Sequence, residues 1–443
     1  MAADVRMMKT AAEVALAETF AAVHAALPGD GTVAAQRSAA FDRFVATGLP
    51  HRRVEAWRYT DLRAMMREAL PLAAPPDAAA LARAGDAGAI LAEVEARRLY
   101  LVNGSFAAAL SDLADLEPGL TISSMASALA SGDPVVAAHL GKTLLVDDPA
   151  LALNTALMGD GVVIHVAAGA SLARPLLLIS VTAQDTPAAI FTRSLMVVED
   201  GAAASLIEIH EGPAGTAYQV NTALELVVGA DAQVERVKII REGAGAMHLA
   251  TVLARVGDRA RVAVSGFNLG GGVVRNQLMA QLAGEFIDAS ISGVSLLGGK
   301  QHADTMLVLD HTAPNSQSRE NFRAVLDGAS RDIFQGRIAV HQRAQKTDAR
   351  MLSRALLLSD AAESDNKPEL EIFADDVQCG HGCTTGTLDP QLKFYLMARG
   401  IPAKEAEALL IQAFVGEVID GVANEGVRAA LTGATQAWLL ERE

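Results

Sequence analysis

The chain opens with apolar positions recurring at helical spacing. They predict one helix over about residues 10–26, stopped by Leu27-Pro28-Gly29, and a second over about 33–47. Gly48 and Pro50 close the second: a glycine after the last turn, then a proline that cannot continue it. An Ala/Pro-rich tract at 72–80 reads as a connection. From about Leu144 to Cys383 the pattern becomes strand-like, with short Val/Ile/Leu runs alternating with polar residues. Val162–Val166, Ser205–Ile209 and Leu224–Val228 are examples, each bounded by a glycine turn.

Those turns recur. Gly169-Ala170, Gly201-Ala202, Gly229-Ala230, Gly257-Asp258 and Gly284-Glu285 are spaced 32, 28, 28 and 27 residues apart. Such a period predicts the stacked coils of a β-solenoid. The competing architecture is a β-sandwich, whose turns come about every 8–12 residues. After the strands, helical pattern returns. Asp389 is a good N-cap with Pro390 at the first helical position, Gly400 ends that helix, and Pro402 starts the next. Leu409, Leu410, Ala413, Phe414 and Val418 form one stripe, and a last helix is expected over about 425–440. These helices are placed to cap the solenoid or to dock a partner.

Composition narrows the function. In 443 residues, 51% are hydrophobic but only 4% aromatic, which suits layered β-structure better than aromatic ligand pockets. The formal net charge of −15 repels phosphate, so nucleic acid is not an expected partner. No uninterrupted 18-residue apolar stretch predicts a membrane span. Glu13 and Glu18 interrupt the apolar positions of residues 1–28, which predicts an amphipathic helix there and not a signal peptide. Two cysteines four residues apart are no secreted disulfide framework; a reducing cytoplasm is the expected compartment.

The densest chemistry lies in 367–384, which holds both cysteines with a histidine midway. In an extended strand Cys379, His381 and Cys383 point to one side, while Gly380 and Gly382 leave the other side bare. Thiolate and imidazole suit zinc, iron or an iron–sulfur unit. Same-face neighbours are ~7 Å apart, so three donors on one strand cannot wrap an ion. A second chain could complete the set; the alternative is a strand-end turn with two incidental cysteines and a backbone-satisfied histidine. Asp375 and Asp376 face opposite ways and make a poor acid–base pair, and Glu369 and Glu371 read as a solvated acidic face.

An Arg-rich cluster runs from Gly48 to Leu62 and includes Trp57 and Tyr59, read as a helix start that packs its aromatics. The polar stretch from His311 to Leu356 reads as turn and edge residues or an exposed edge. Gly270-Gly271-Gly272 and Gly298-Gly299-Lys300 lack the remainder of a phosphate loop, and no nucleophile elbow is present, so ATP-driven work is expected of a partner.

The run Lys367-Pro368, Leu370-Glu371-Ile372, Ala374-Asp375-Asp376-Val377, Cys379, His381-Gly382, Thr384 and Gly386 resembles the signature of the SufB/SufD family of SUF iron–sulfur cluster assembly scaffolds. Phe394-Tyr395-Leu396, Arg399-Gly400-Ile401, Gln345–Ala349 and the 331–336 stretch extend the likeness; Arg52, Arg53, Glu55, Trp57 and Arg58-Tyr59-Thr60 look closer to its SufD branch. The resemblance implies a mainly β fold: a right-handed parallel β-helix core over 141–385, between an N-terminal helical region, 1–140, and a C-terminal one, 386–443. It implies a non-catalytic scaffold that pairs with SufB through the β-helix and docks the ATPase SufC on its C-terminal helices, with one SufB, one SufD-type chain and two SufC per complex. A homodimer is implied when SufB is absent. It further implies that His381 lies at the partner interface with Cys379 and serves nascent cluster assembly, with no cofactor held stably by the isolated chain and a transient cluster or iron in the complex. Cys383 stands where the family more often has alanine, which leaves its role as a ligand open. The other readings are a zinc-binding structural protein using Cys379, His381 and Cys383, and a solenoid carbohydrate-active enzyme.

Overall fold

The structure, a computed structural model, describes residues 8–442; the first seven residues of the expected N-terminal helical region lie outside it. From Val162 to Gly386, sixteen strands alternate between two sheets, one of ten strands and one of nine. Neighbours within a sheet are every second strand in the chain, and they run parallel. Tyr218–Val228, for example, pairs with Ala188–Val198 on one side and Ala246–Val256 on the other. Each pair of strands is one coil, and the coils stack in register: the fold is the solenoid that the turn period predicts, not the sandwich.

Three layers of apolar packing hold it. Between the sheets lie side chains such as Leu206, Leu226, Val252, Val264, Leu307 and Ile338. The outer face of the ten-stranded sheet, including Ile207, Ile239, Phe267 and Leu296, is covered by C-terminal helices Ala403–Ile419 and Glu425–Glu441 through Val415, Val418 and Leu431. The outer face of the nine-stranded sheet receives the N-terminal helices Ala11–Val23 and Gly31–Thr47 together with Pro149–Leu157. Strands buried on both faces read as continuous apolar runs, as in Leu176–Val181. The C-terminal helices thus lie along a sheet face rather than across the end of the solenoid. Their caps follow the sequence: the Asp389 carboxylate accepts from the amides of Gln391 and Leu392.

The recurring glycines stand at one corner of the coils as far as Gly284. At Gly229 and Gly284 the backbone is not left-handed. A Cβ would instead come within 2.6 Å of the Asp200 amide and 2.1 Å of the Asp258 amide, so glycine serves close stacking of successive turns. The left-handed residues come two positions later, at Asp231, Arg259 and Phe286, and then at Asn315 and Lys346. The Asp231, Arg259, Asn315 and Lys346 amides each donate to a carbonyl of the next coil, at 2.6–2.9 Å.

Strand structure begins earlier than the run pattern predicts. Arg97–Val102 and Leu120–Ser124 already belong to the two sheets, while Pro149–Leu157 is a helix inside the expected strand region. The polar stretch from His311 to Leu356 is not an edge. Its strands Gln317–Leu326 and Arg331–Val340 are paired on both sides, and His311, Ser318, Gln335 and Thr347 are buried. The two glycine-rich segments are corner turns; a Cβ at Gly272 would lie 2.2 Å from the Ala244 carbonyl oxygen.

The Gly48–Leu62 segment is a clasp between the N-terminal region and the nine-stranded sheet. Trp57 is 1% exposed, its Nε1 donates to Asp148 Oδ2 at 2.8 Å, and the Arg275 guanidinium lies 4.0 Å over its ring. Arg275 in turn pairs with Asp304, to which Thr60 also donates. Tyr59, expected to pack with it, is half-buried. Glu13 is buried too: its Oε2 accepts from the Thr10 amide and its Oε1 from the Leu49 amide, at 2.6 and 2.8 Å. Replacing Trp57→Ala leaves a cavity and exposes a buried cation to it. Chemical denaturation is expected to show a loss of ~3–5 kcal/mol.

Candidate functional site

The last coil is formed by Glu363–Ile372 and Gln378–Gly386, the terminal strands of the two sheets. Among the described residues each is paired on one side, with Arg331–Val340 and Asp348–Leu357 respectively. Their opposite backbone edges face solvent. Pro368 fits such a place, since a proline cannot donate into a two-sided ladder.

Cys379, His381 and Cys383 occupy the same phase of Gln378–Gly386. They stand beside Ala349, Met351 and Ser353 of the preceding coil. Ala349 and Met351 belong to the packing between the sheets, so the three side chains face the solenoid interior at its open end. Cys379 packs partly against that apolar layer, whereas His381 is exposed. Across the interior, Ser353 donates to Asn366 Oδ1 of the facing strand at 2.6 Å. On the other face, a Cβ at Gly380 would meet nothing within 4 Å. An open concavity along this edge takes in both faces, with Met351, Cys379 and His381 as well as Arg350, Leu352 and Gly380 in its lining.

Partial burial pushes both thiols above their ordinary range, with Asp348 and Glu320 adding to the effect at Cys379. The cysteines are therefore neutral thiols at pH 7 and become ligands only when an arriving cation displaces the proton. Their neighbours are structural. Asp376 pairs with Lys346 and its amide donates to Gln345 Oε1, which fixes the turn into the strand. Glu369 and Glu371 lie on the outer face beside Lys367 and Arg337, at 3.2 and 3.6 Å. Glu55 of the N-terminal clasp also reaches Lys367, at 2.9 Å, and so ties that clasp to the last coil.

Sequence reading missed a line of polar side chains inside the solenoid: Glu208, His210, Lys238, His248, Glu320 and Asp332 are buried. Polar residues at alternate positions suggest a solvent face, but these share the phase of the apolar side chains between the sheets. Glu320 is two strands in from His381 in the same row. Its carboxylate oxygens make no well-formed hydrogen bond, and burial raises its pKa to about 7.

Residues 179–414 match the family described as SUF system FeS cluster assembly, SufBD core domain, and residues 17–178 match the SufBD protein N-terminal region. The chain belongs to the SufBD family of SUF-system iron–sulfur cluster assembly proteins, and most of the solenoid falls within its core-domain match. It is 31% identical over 402 residues to iron–sulfur cluster assembly SufBD family protein slr0076 of Synechocystis sp., spanning 89% of this chain and 88% of that one. It is 29% identical over 395 residues to iron–sulfur cluster assembly protein SufD of Escherichia coli, spanning 87% and 88%. A chloroplastic Arabidopsis thaliana protein, ABCI7, is 29% identical over 240 residues, 53% of this chain and 50% of that protein. No helix among the described residues is long and apolar enough to cross a membrane.

Glu320 yields a pH test. Its carboxyl ionises near 4.5 in the unfolded chain but near 7 when folded, so the folded state holds the extra proton between those values. The stabilisation is complete below the lower value and is lost as pH rises through the upper one. Thermal melts are expected to show the wild type losing ~1–3 kcal/mol relative to Glu320→Gln as pH rises across that window.

Proposed function

We propose that this chain is a scaffold subunit of a SUF assembly complex and that its open final coil pairs with a SufB-type partner. The observation that carries the reading is that coil. Two strands leave backbone donors and acceptors unpaired, and beside them one imidazole and two thiols lie on one strand that cannot surround an ion unaided. A partner strand added to either edge supplies backbone pairing and brings further donors to His381 and Cys379. Iron, sulfide or the nascent cluster is then cargo held between two chains. Cys383 sits next to Ser353, deeper along the strand, and takes no necessary part.

The second element is the ATPase dock. The helix Pro390–Ala398 has no buried residue, and Leu392, Phe394, Tyr395 and Met397 are all exposed. It is braced on the next helix by Lys393 and Glu407 at 2.9 Å. An unpartnered apolar helix beside the final coil suits a SufC-type ATPase. With one ATPase on this chain and one on the SufB-type partner, ATP-driven closure of the two pulls on both sets of helices and opens the shared interface to iron and sulfur. The chain itself has no phosphate loop, so hydrolysis belongs to that partner.

The zinc reading is less well supported, because same-face donors ~7 Å apart on one strand do not converge on an ion. The carbohydrate-active reading rests on the solenoid shape alone, and fold does not imply function. A homodimer through the same edges is the form expected of the isolated chain.

Two experiments test this. In the complex co-purified with SufB and SufC, His381→Ala is expected to lose most of the iron and acid-labile sulfide while the subunits stay together. Undiminished iron and sulfide would refute the assignment. Phe394→Asp is expected to weaken SufC binding by at least ~2 kcal/mol in calorimetry while SufB still co-purifies.

A further inference from the structure

Far from the final coil, the solenoid interior holds a second group of donors. His210 lies near the end of strand Ala203–Glu211, Glu242 just beyond Gln233–Arg241, and His248 in Ala246–Val256. Three separate segments thus deliver two imidazoles and a carboxylate to one fully buried point, with ligand atoms all within 4.8 Å of one another. The two rings meet edge to face at 4.8 Å between centroids, and His248 Nδ1 is 2.9 Å from Glu242 Oε2. His210 Nε2 has no hydrogen-bond partner among the described residues, although its side chain is buried. A small cavity of about 20 Å³, lined by Ser180, Thr182, Thr192, His210 and Glu242 among others, adjoins the cluster and has room for one water.

We propose that His210, Glu242 and His248 form a binding site for one divalent transition-metal ion, closed off inside the solenoid and separate from the final coil. Two imidazoles and one carboxylate are the donor set of open-sided zinc and non-haem ferrous sites, with the remaining position left to water. Bonds of ~2.0–2.1 Å require donors ~3.4 Å apart, so the set closes by at most ~1.4 Å, within reach of side-chain rotation. The orphaned His210 nitrogen, otherwise a buried polar atom without a partner, gains the cation as its partner.

The surrounding charges are compatible. Arg236 is neutralised by Glu208. Lys238 Nζ lies 2.8 Å from His248 Nε2 and 3.2 Å from Asn276 Oδ1. When His248 coordinates through Nδ1, its ring proton moves to Nε2. Coordination requires unprotonated donors, so loading expels protons from the cluster.

The test uses the full chain carrying Cys379→Ser, His381→Ala and Cys383→Ser, which removes the donors of the final coil. It is produced in Co2+-supplemented medium and then incubated with Co2+. One equivalent of cobalt is expected by elemental analysis, with visible d–d bands, no thiolate-to-metal charge-transfer band and a raised Tm. Zn2+ and Fe2+ are expected to displace the cobalt. His210→Ala and the near-isosteric Glu242→Gln are each expected to weaken binding at least ~10-fold while circular dichroism stays that of the parent. Absence of cobalt from the parent protein overturns the proposal, as does undiminished binding in Glu242→Gln. Should His210→Ala not fold, Glu242→Gln and the parent measurement decide by themselves.

Discussion

The structure depends on one constraint: each coil satisfies its backbone and buries its inner side chains only against the coils above and below it. In-register parallel pairing passes this demand along the chain, from Ala188–Val198 to Tyr218–Val228 to Ala246–Val256 and onward. The series cannot close on itself. At the N-terminal end the debt is met by antiparallel strands, where Leu120–Ser124 pairs with Val162–Val166 and Ser105–Phe106 with Arg97–Val102. At the other end the chain leaves the solenoid through Asp389 and Pro390 with both edges unpaired among the described residues. The exposed donors at His381 and Cys379 follow from that asymmetry.

Much of the architecture was legible because its signals were local. Corner glycines spaced by nearly one coil length marked the stack, and Asp389-Pro390 marked where it ends. The common face of Cys379, His381 and Cys383 followed from strand alternation alone. That they sit at an open end was not legible, because the helices after them were as well placed to cap the solenoid as to dock a partner.

Other parts were hidden for a physical reason. Helices cover much of the outside of both sheets, so alternation beneath them distinguishes two buried faces, not core from solvent. Glu208 in the run Ser205–Ile209, and His210 just after it, are interior with Leu206, while Ile207 and Ile209 lie under C-terminal helices. The same ambiguity made the His311–Leu356 strands look like an edge. Trp57 was read as a packing residue, but its partners Asp148 and Arg275 are 91 and 218 positions away, beyond any local pattern.

Register also constrains how such a chain can change in length. A one-residue insertion inside a strand reverses the facing of the side chains after it in that strand. Corner loops tolerate small additions, as their uneven spacing shows. Beyond that, length is quantised: an added or deleted whole coil shifts the terminal strand by ~4.8 Å along the stack and leaves its chemistry intact. The reach of the molecule and the composition of its tip can therefore vary independently.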